Sequence, residues 1–145
     1  MDEAICFDAS VFIKVLLEEP DSEKAHSLMS DAAAHGRSIV DPAFARAEVI
    51  SVLRGKVFRG ESTTTEADRA VATFLGLGVV YVDNAEVYRQ AWQIATDLRL
   101  SVIYDAAYLA VAMANGAPYW TADSAFYERA KDSYPAVRLL GSTPC

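Results

Sequence analysis

Four acidic side chains stand at strand ends or on apolar helical stripes. Asp8 closes the apolar run "AICF" and precedes "ASVFIKVLL", which is apolar on nearly every side. Glu48, in "PAFARAEVISVLRG", shares a helical stripe with Phe44, Ser51 and Val52, because residues three and four apart fall on one face. Asp105 shares its stripe with Tyr108, Leu109 and Ala112 in "IYDAAYLAVAMANG", the most apolar helical segment of the chain. Asp123 lies two residues beyond the run "PYWT". A charge on an apolar stripe is costly without a partner. If these carboxylates meet, their repulsion leaves two outcomes: protons bound at raised pKa, or a cation among them. A hard divalent ion such as Mg²⁺ is held by a few carboxylates and keeps several waters, which leaves room for a phosphate oxygen and an attacking water. The chemistry such a set suits is phosphodiester hydrolysis.

The ordinary alternative for each aspartate is a helix cap, since aspartate caps well. Two further aspartates are expected to be only that. Asp41 precedes Pro42 in "SIVDPAF", with the proline in a first helical turn, and Asp83 has capping-box spacing to Glu86. Both are left out of the candidate site. For Asp105 the alternative is a first-turn carboxylate favoured by the helix dipole.

The elements that must position these groups alternate. "AICF", "SIV", "VVYV", "PYWT" and "VRLL" are strand candidates, and amphipathic helical stretches separate them. This order predicts an α/β fold around a mostly parallel sheet of about five strands. In such sheets ligands gather where strands end and helices begin, which is where Asp8 and Asp123 fall. "PDSEKAHSLMSDAAAHG", "DPAFARAEVISVLRG", "STTTEADRAVATFLG" and "DNAEVYRQAWQIATDL" read as helices, the last two helices start near Asp105 and Asp123, and "GESTTT" reads as an exposed turn. A chain of 145 residues, 52% hydrophobic and without repeats or a long linker, is expected to form one domain over 1–145. No apolar stretch reaches the roughly 20 residues of a membrane span, and "MDEA" lacks a signal peptide's basic start, so a cytoplasmic protein is expected. Cys6, within the first apolar run, and Cys145, the last residue, form neither a disulfide framework nor a zinc motif. The net charge of −7 argues against a broad grip on nucleic acid, while leaving room for a local basic patch.

With these residues in view, the chain resembles the PIN-domain family of metal-dependent ribonucleases, and within it the VapC toxins of toxin–antitoxin pairs. The resemblance runs from "FDASVFIKVLLEE" through "AEVISVLRG" and "IYDAAYLAVAM" to "WTADSAFYERA". It implies a three-layer α/β/α fold. It also implies acidic site residues at Asp8, Glu48, Asp105 and Asp123, with Asp8 and Asp105 as the firmest ligands of Mg²⁺ or Mn²⁺ and Glu48 and Asp123 completing the pocket directly or through water. Ser10 and Thr121 would orient ligands or water. A VapC-like protein is further expected to be a homodimer, to bind a small VapB-type antitoxin and to cleave RNA.

An acidic pocket needs positive charge nearby to receive RNA, and "VLRGKVFRG" supplies Arg54, Lys56 and Arg59, with Lys14 following the first acid. A solvated helix face explains each of them equally well. A haloacid dehalogenase-like phosphatase needs a second acid two residues after the first, where this chain has Ser10. Nucleotide-binding folds need glycine-rich loops that are absent, and His26 and His35 belong to one polar helical stretch. The rival of another class is a binding module of the same fold that performs no cleavage.

Overall fold

The first strand is short and buried on both faces. In the computed structural model, which describes residues 3–141, β1 (Ala4–Phe7) alternates Ala4 and Cys6 toward one apolar layer and Ile5 and Phe7 toward the other. Cys6 is a buried free thiol, and Cys145 lies outside the described residues. Four further strands follow: β2 (Ser38–Pro42), β3 (Val80–Val82), β4 (Tyr119–Thr121) and β5 (Val137–Leu139). All pairings are parallel, in the order β3-β2-β1-β4-β5. Seven helices among the described residues cover the two faces, giving the α/β order that the alternation of runs predicts and the three layers that the resemblance implies.

On the Ile5/Phe7 side lie α1 (Ala9–Leu16), α2 (Ser22–Ala34), α3 (Ala45–Phe58) and α4 (Thr64–Leu75). Phe12 stands between Phe7 and Phe74 in edge-to-face contacts, with centroids 5.6 and 5.1 Å away. On the Ala4/Cys6 side lie α5 (Ala85–Leu98), α6 (Tyr104–Ala114) and α7 (Ser124–Ala130). α5 turns Val87, Ala91, Ile94 and Leu98 inward, a stripe at helical spacing. Against it packs α6, whose residues from Ala106 to Ala112 are all buried. Small side chains allow that close approach from several directions.

The chain winds outward from β1 through β2 to β3, then returns across the sheet to place β4 on the other flank of β1. Between β1 and β4 the winding direction reverses, and the carboxyl ends of these strands open a crevice there, as at the ligand site of other doubly wound sheets. β1 ends at Phe7, one residue before Asp8, and β4 ends at Thr121.

Two helix starts differ from expectation. Asp41 and Pro42 belong to β2, paired with Tyr81 and Val82, and α3 begins only at Ala45 with no side-chain cap at Phe44. Proline disfavours helical backbone in the residue before it, so Asp41 stays extended and its side chain turns toward β1 instead of capping. At α5 the cap is Asn84, whose side chain accepts from Val87 N–H at 2.9 Å, rather than Asp83. The "GESTTT" segment ends in a capping box between Thr63 and Glu66 at the start of α4.

Candidate active site

Asp8 is both a cap and a buried acid. Its Oδ1 accepts from Val11 N–H at 3.2 Å, closing the first turn of α1, and also from the Ser10 hydroxyl. Its Oδ2 accepts from the hydroxyl of Thr121, at 2.5 Å and 113 residues away in sequence. Thr121 is fully buried at the end of β4, and its oxygen in turn accepts from Asp123 N–H at 3.0 Å. Ser10 accepts from Ala122 N–H at 3.0 Å. The two hydroxyls thus grip the Asp8 carboxylate from both sides and lash the segment after β4 to the start of α1. Burial pushes the Asp8 carboxyl up from its ordinary value, and the hydrogen bonds from Ser10, Thr121, Val11 and Tyr119 oppose that rise.

Asp105 enters from the first turn of α6. A single atom, the Tyr119 hydroxyl oxygen, lies 3.4 Å from Asp8 Oδ2 and 3.5 Å from Asp105 Oδ1, so both carboxylates face one point. The Asp105 carboxyl is pushed up to about 6, first by burial, then by the charges of Asp8, Asp123 and Glu48. Glu48, on α3, accepts from the Tyr108 hydroxyl at 2.9 Å. Burial raises its carboxyl, the Tyr108 bond opposes the rise, and the charge of Asp8 adds to it. Tyr108 and Tyr119 stack with centroids 5.8 Å apart and form the floor on which these acids rest. Asp123 caps α7 through Phe126 N–H at 3.1 Å and is exposed, so it borders the cluster from solvent.

Two open clefts flank this cluster. One, of about 490 Å³, is lined by Phe44, Glu48, Ser51, Arg59 and Tyr104. The other, of about 400 Å³, is lined by Ser10, Lys14, Glu19, Lys56 and Asp123, and Val52 belongs to the walls of both. Lys56 therefore faces the site, whereas Arg54 is exposed on α3 and lines neither cleft. Among the described residues, no three His, Cys, Asp or Glu side chains stand in a ready coordination shell. The donor set around Tyr119 is nonetheless all carboxylate and hydroxyl oxygen, which is the ligand chemistry of Mg²⁺ and Mn²⁺ and unlike the nitrogen and sulfur sets of zinc.

Two groups escaped the sequence reading. Asp41 is fully buried, accepting at Oδ1 from Phe7 N–H and the Cys6 thiol, both at 3.2 Å, while Oδ2 has no partner among the described residues. Burial raises its carboxyl well above the ordinary range, and the charges of Asp8 and Glu48 add to that rise. The adjacent Pro42 concealed it by suggesting a cap. Tyr119 reads as one more aromatic core residue in "PYWT", and only the pairing of β4 with β1 brings its hydroxyl to the acids.

The parallel sheet reverses between β1 and β4, and acids capping α1 and α7 and carried on α3 and α6 lie around that reversal. The PIN domain family model matches residues 5–132, and the chain belongs to that family, whose members are generally nucleases. Among solved structures, the chain resembles PAE2754 from Pyrobaculum aerophilum, with a TM-score of 0.63 and 19% identity over 89% of this chain and 87% of that one. It also resembles VapBC2 from Rickettsia felis, solved bound to a DNA fragment from their promoter, with a TM-score of 0.65 and 14% identity over 94% of this chain and 96% of that one. At these identities the likeness is one of fold. No curated protein matches the sequence. No helix among the described residues is long and apolar enough to cross a membrane.

Proposed function

We propose that this protein is a metal-dependent endoribonuclease, the toxin of a VapBC-type pair acting on RNA in the cytoplasm. The observation that carries this reading is the meeting of Asp8 and Asp105 at one tyrosine hydroxyl in the crevice between β1 and β4, with Glu48 and Asp123 close enough in field to raise Asp105. Asp8 and Asp105 would hold Mg²⁺ or Mn²⁺, with Glu48 and Asp123 holding it directly or through water. A divalent ion held by these carboxylates would supply Lewis-acid chemistry, making water more acidic and offsetting charge on the phosphate. Ser10 and Thr121 fix the rotamer of Asp8, so the oxygens facing the crevice are held without reorganisation. Glu48 is oriented by Tyr108 toward the larger cleft, where it can accept a proton from water approaching the scissile phosphate. Lys56 and the exposed Arg54 supply positive charge for the RNA backbone.

The VapBC2 likeness in fold supports a VapB-type antitoxin as partner. An arginine from such a partner would suit the acidic crevice by charge. Phe58 and Trp92, exposed by 83% and 70%, give apolar surface for antitoxin or homodimer contacts. A second reading, a PIN-fold binding module without turnover, draws on the lack of a ready coordination shell among the described residues. One experiment separates the two. Cleavage of single-stranded RNA that stops in EDTA, returns with Mg²⁺ or Mn²⁺ and is abolished by Asp8→Asn or Asp105→Asn supports the nuclease. Purified protein that binds RNA with no metal-dependent cleavage in any buffer supports the module.

A further inference from the structure

The smaller cleft already holds an anion of the protein's own. Its walls come from two helices in contact: α1 places Ser10 and Lys14 one turn apart on one face, and α3 places Val52 and Lys56 one turn apart on the facing one. Glu19, from the connection between α1 and α2, reaches in between the two lysines. Its Oε2 lies 2.7 Å from Lys56 Nζ and its Oε1 lies 3.5 Å from Lys14 Nζ. The backbone behind this carboxylate is secured, since Ser22 Oγ accepts from Glu19 N–H at 2.9 Å and donates to Leu17 C=O at 2.9 Å. Lys14 is held further by donating to Pro20 C=O at 3.0 Å. All three charged side chains are only about a fifth exposed, at 17%, 21% and 20% for Lys14, Glu19 and Lys56.

In this cleft Glu19 and Asp123 balance the two ammonium groups, and Glu19 is the carboxylate that bridges them. The same cleft is lined by Ser10, which grips Asp8, and by Asp123, so the two lysines stand beside the acidic cluster. On a chain of net charge −7, two lysines converging on one point next to the candidate site stand out. The geometry points to a second role for this cleft: it is the subsite for a backbone phosphate of the RNA substrate next to the scissile one, and Glu19 is a resident anion that the phosphate displaces. A phosphate offers oxygens that bridge the same two ammonium groups, and the displaced Glu19 carboxylate, already partly reached by solvent, turns out into water. Glu19 thereby sets how tightly RNA is held. The inference takes the RNA substrate from the nuclease reading but does not depend on turnover.

The test is binding of a fluorescently labelled single-stranded RNA oligonucleotide to the full chain, followed by anisotropy in EDTA across a salt series. Lys14→Ala and Lys56→Ala are each expected to weaken binding about five-fold and to flatten the slope of log K against log salt by about 0.7. Glu19→Gln is expected to tighten binding about five-fold, and that gain should vanish in the Lys14→Ala/Lys56→Ala background. A Glu19→Gln protein that is folded by thermal melting and binds no more tightly overturns the proposal, as does a gain that persists without the two lysines. Should Glu19→Gln unfold, the lysine variants decide, and unchanged salt slopes refute the subsite. A protein that cleaves RNA but shows a flat Glu19 and lysine series keeps the nuclease and loses the subsite. An inactive protein with the expected series does the reverse.

Discussion

In the metal-free protein, replacing Asp105 with asparagine should raise stability at neutral pH, although it removes a first-turn carboxylate. The folded Asp105 carboxyl keeps its proton up to a pH of about 6, whereas the unfolded chain releases it near the ordinary value of 3.8. The proton therefore favours the folded state. This contribution is fully present below pH 3.8 and disappears as pH rises through 6. At 1.36 kcal/mol per pKa unit the gross effect at pH 7.5 is about 3 kcal/mol, and solvent reaching this half-buried group cuts it to about 1–2 kcal/mol. For a chain of this size that corresponds to roughly 3–6 °C in melting temperature. Thermal melts of parent and Asp105→Asn in EDTA should diverge by that amount at pH 7.5 and by only about a third of it at pH 4.5, where the folded parent carries the proton and the unfolded chain has not fully regained it. Added Mg²⁺ should reverse the order at pH 7.5, since only the parent keeps the full carboxylate set. An Asp105→Asn protein that melts lower than the parent by the same margin at both pH values would refute the crowding of charge on which the metal reading rests.

Three further outcomes follow from the same geometry. Saturating Mg²⁺ at about 100 times its dissociation constant should stabilise the parent by about 2.7 kcal/mol in urea unfolding, and Asp8→Asn should abolish that gain. Thr121→Val removes one of the hydroxyls gripping Asp8 and should cost about 1–3 kcal/mol along with most RNA cleavage; Thr121→Ser should restore both. Asp41→Asn resembles the protonated form that burial imposes, so its unfolding free energy should match the parent's at pH 4 and exceed it at pH 8. The sign follows from a folded carboxyl raised above its unfolded value, whose stabilisation is lost with rising pH.

Much of the architecture is legible in local pattern. The β-branched runs and the capped, periodic stretches between them are short-range signals, and the strands and helices form close to where those signals fall. The acids on apolar stripes stand out for the same reason, because a helical face is defined by residues only three or four apart. Asp41 shows where local reading ends. A cap and a buried strand carboxylate look alike in "SIVDPAF", and the difference lies in Phe7 N–H and the Cys6 thiol on a neighbouring strand. Asp83 lost its capping role by a single position, to Asn84, because the last strand residue and the first helical turn are separated by too little sequence to distinguish two adjacent caps.

The amino-acid order alone determined that this chain alternates strand and helix and carries acids at strand ends and on apolar helix faces. Only the tertiary structure decided which of them share a field. The strand order β3-β2-β1-β4-β5 sets β4 against β1, bringing the Thr121 and Tyr119 hydroxyls to a carboxylate more than a hundred residues away, and the packing of α1 on α3 brings two lysines to one glutamate. The physical reason is range: propensity and periodicity act over a turn or two, whereas repulsion between carboxylates depends on distance in space, which exists only once the sheet has formed.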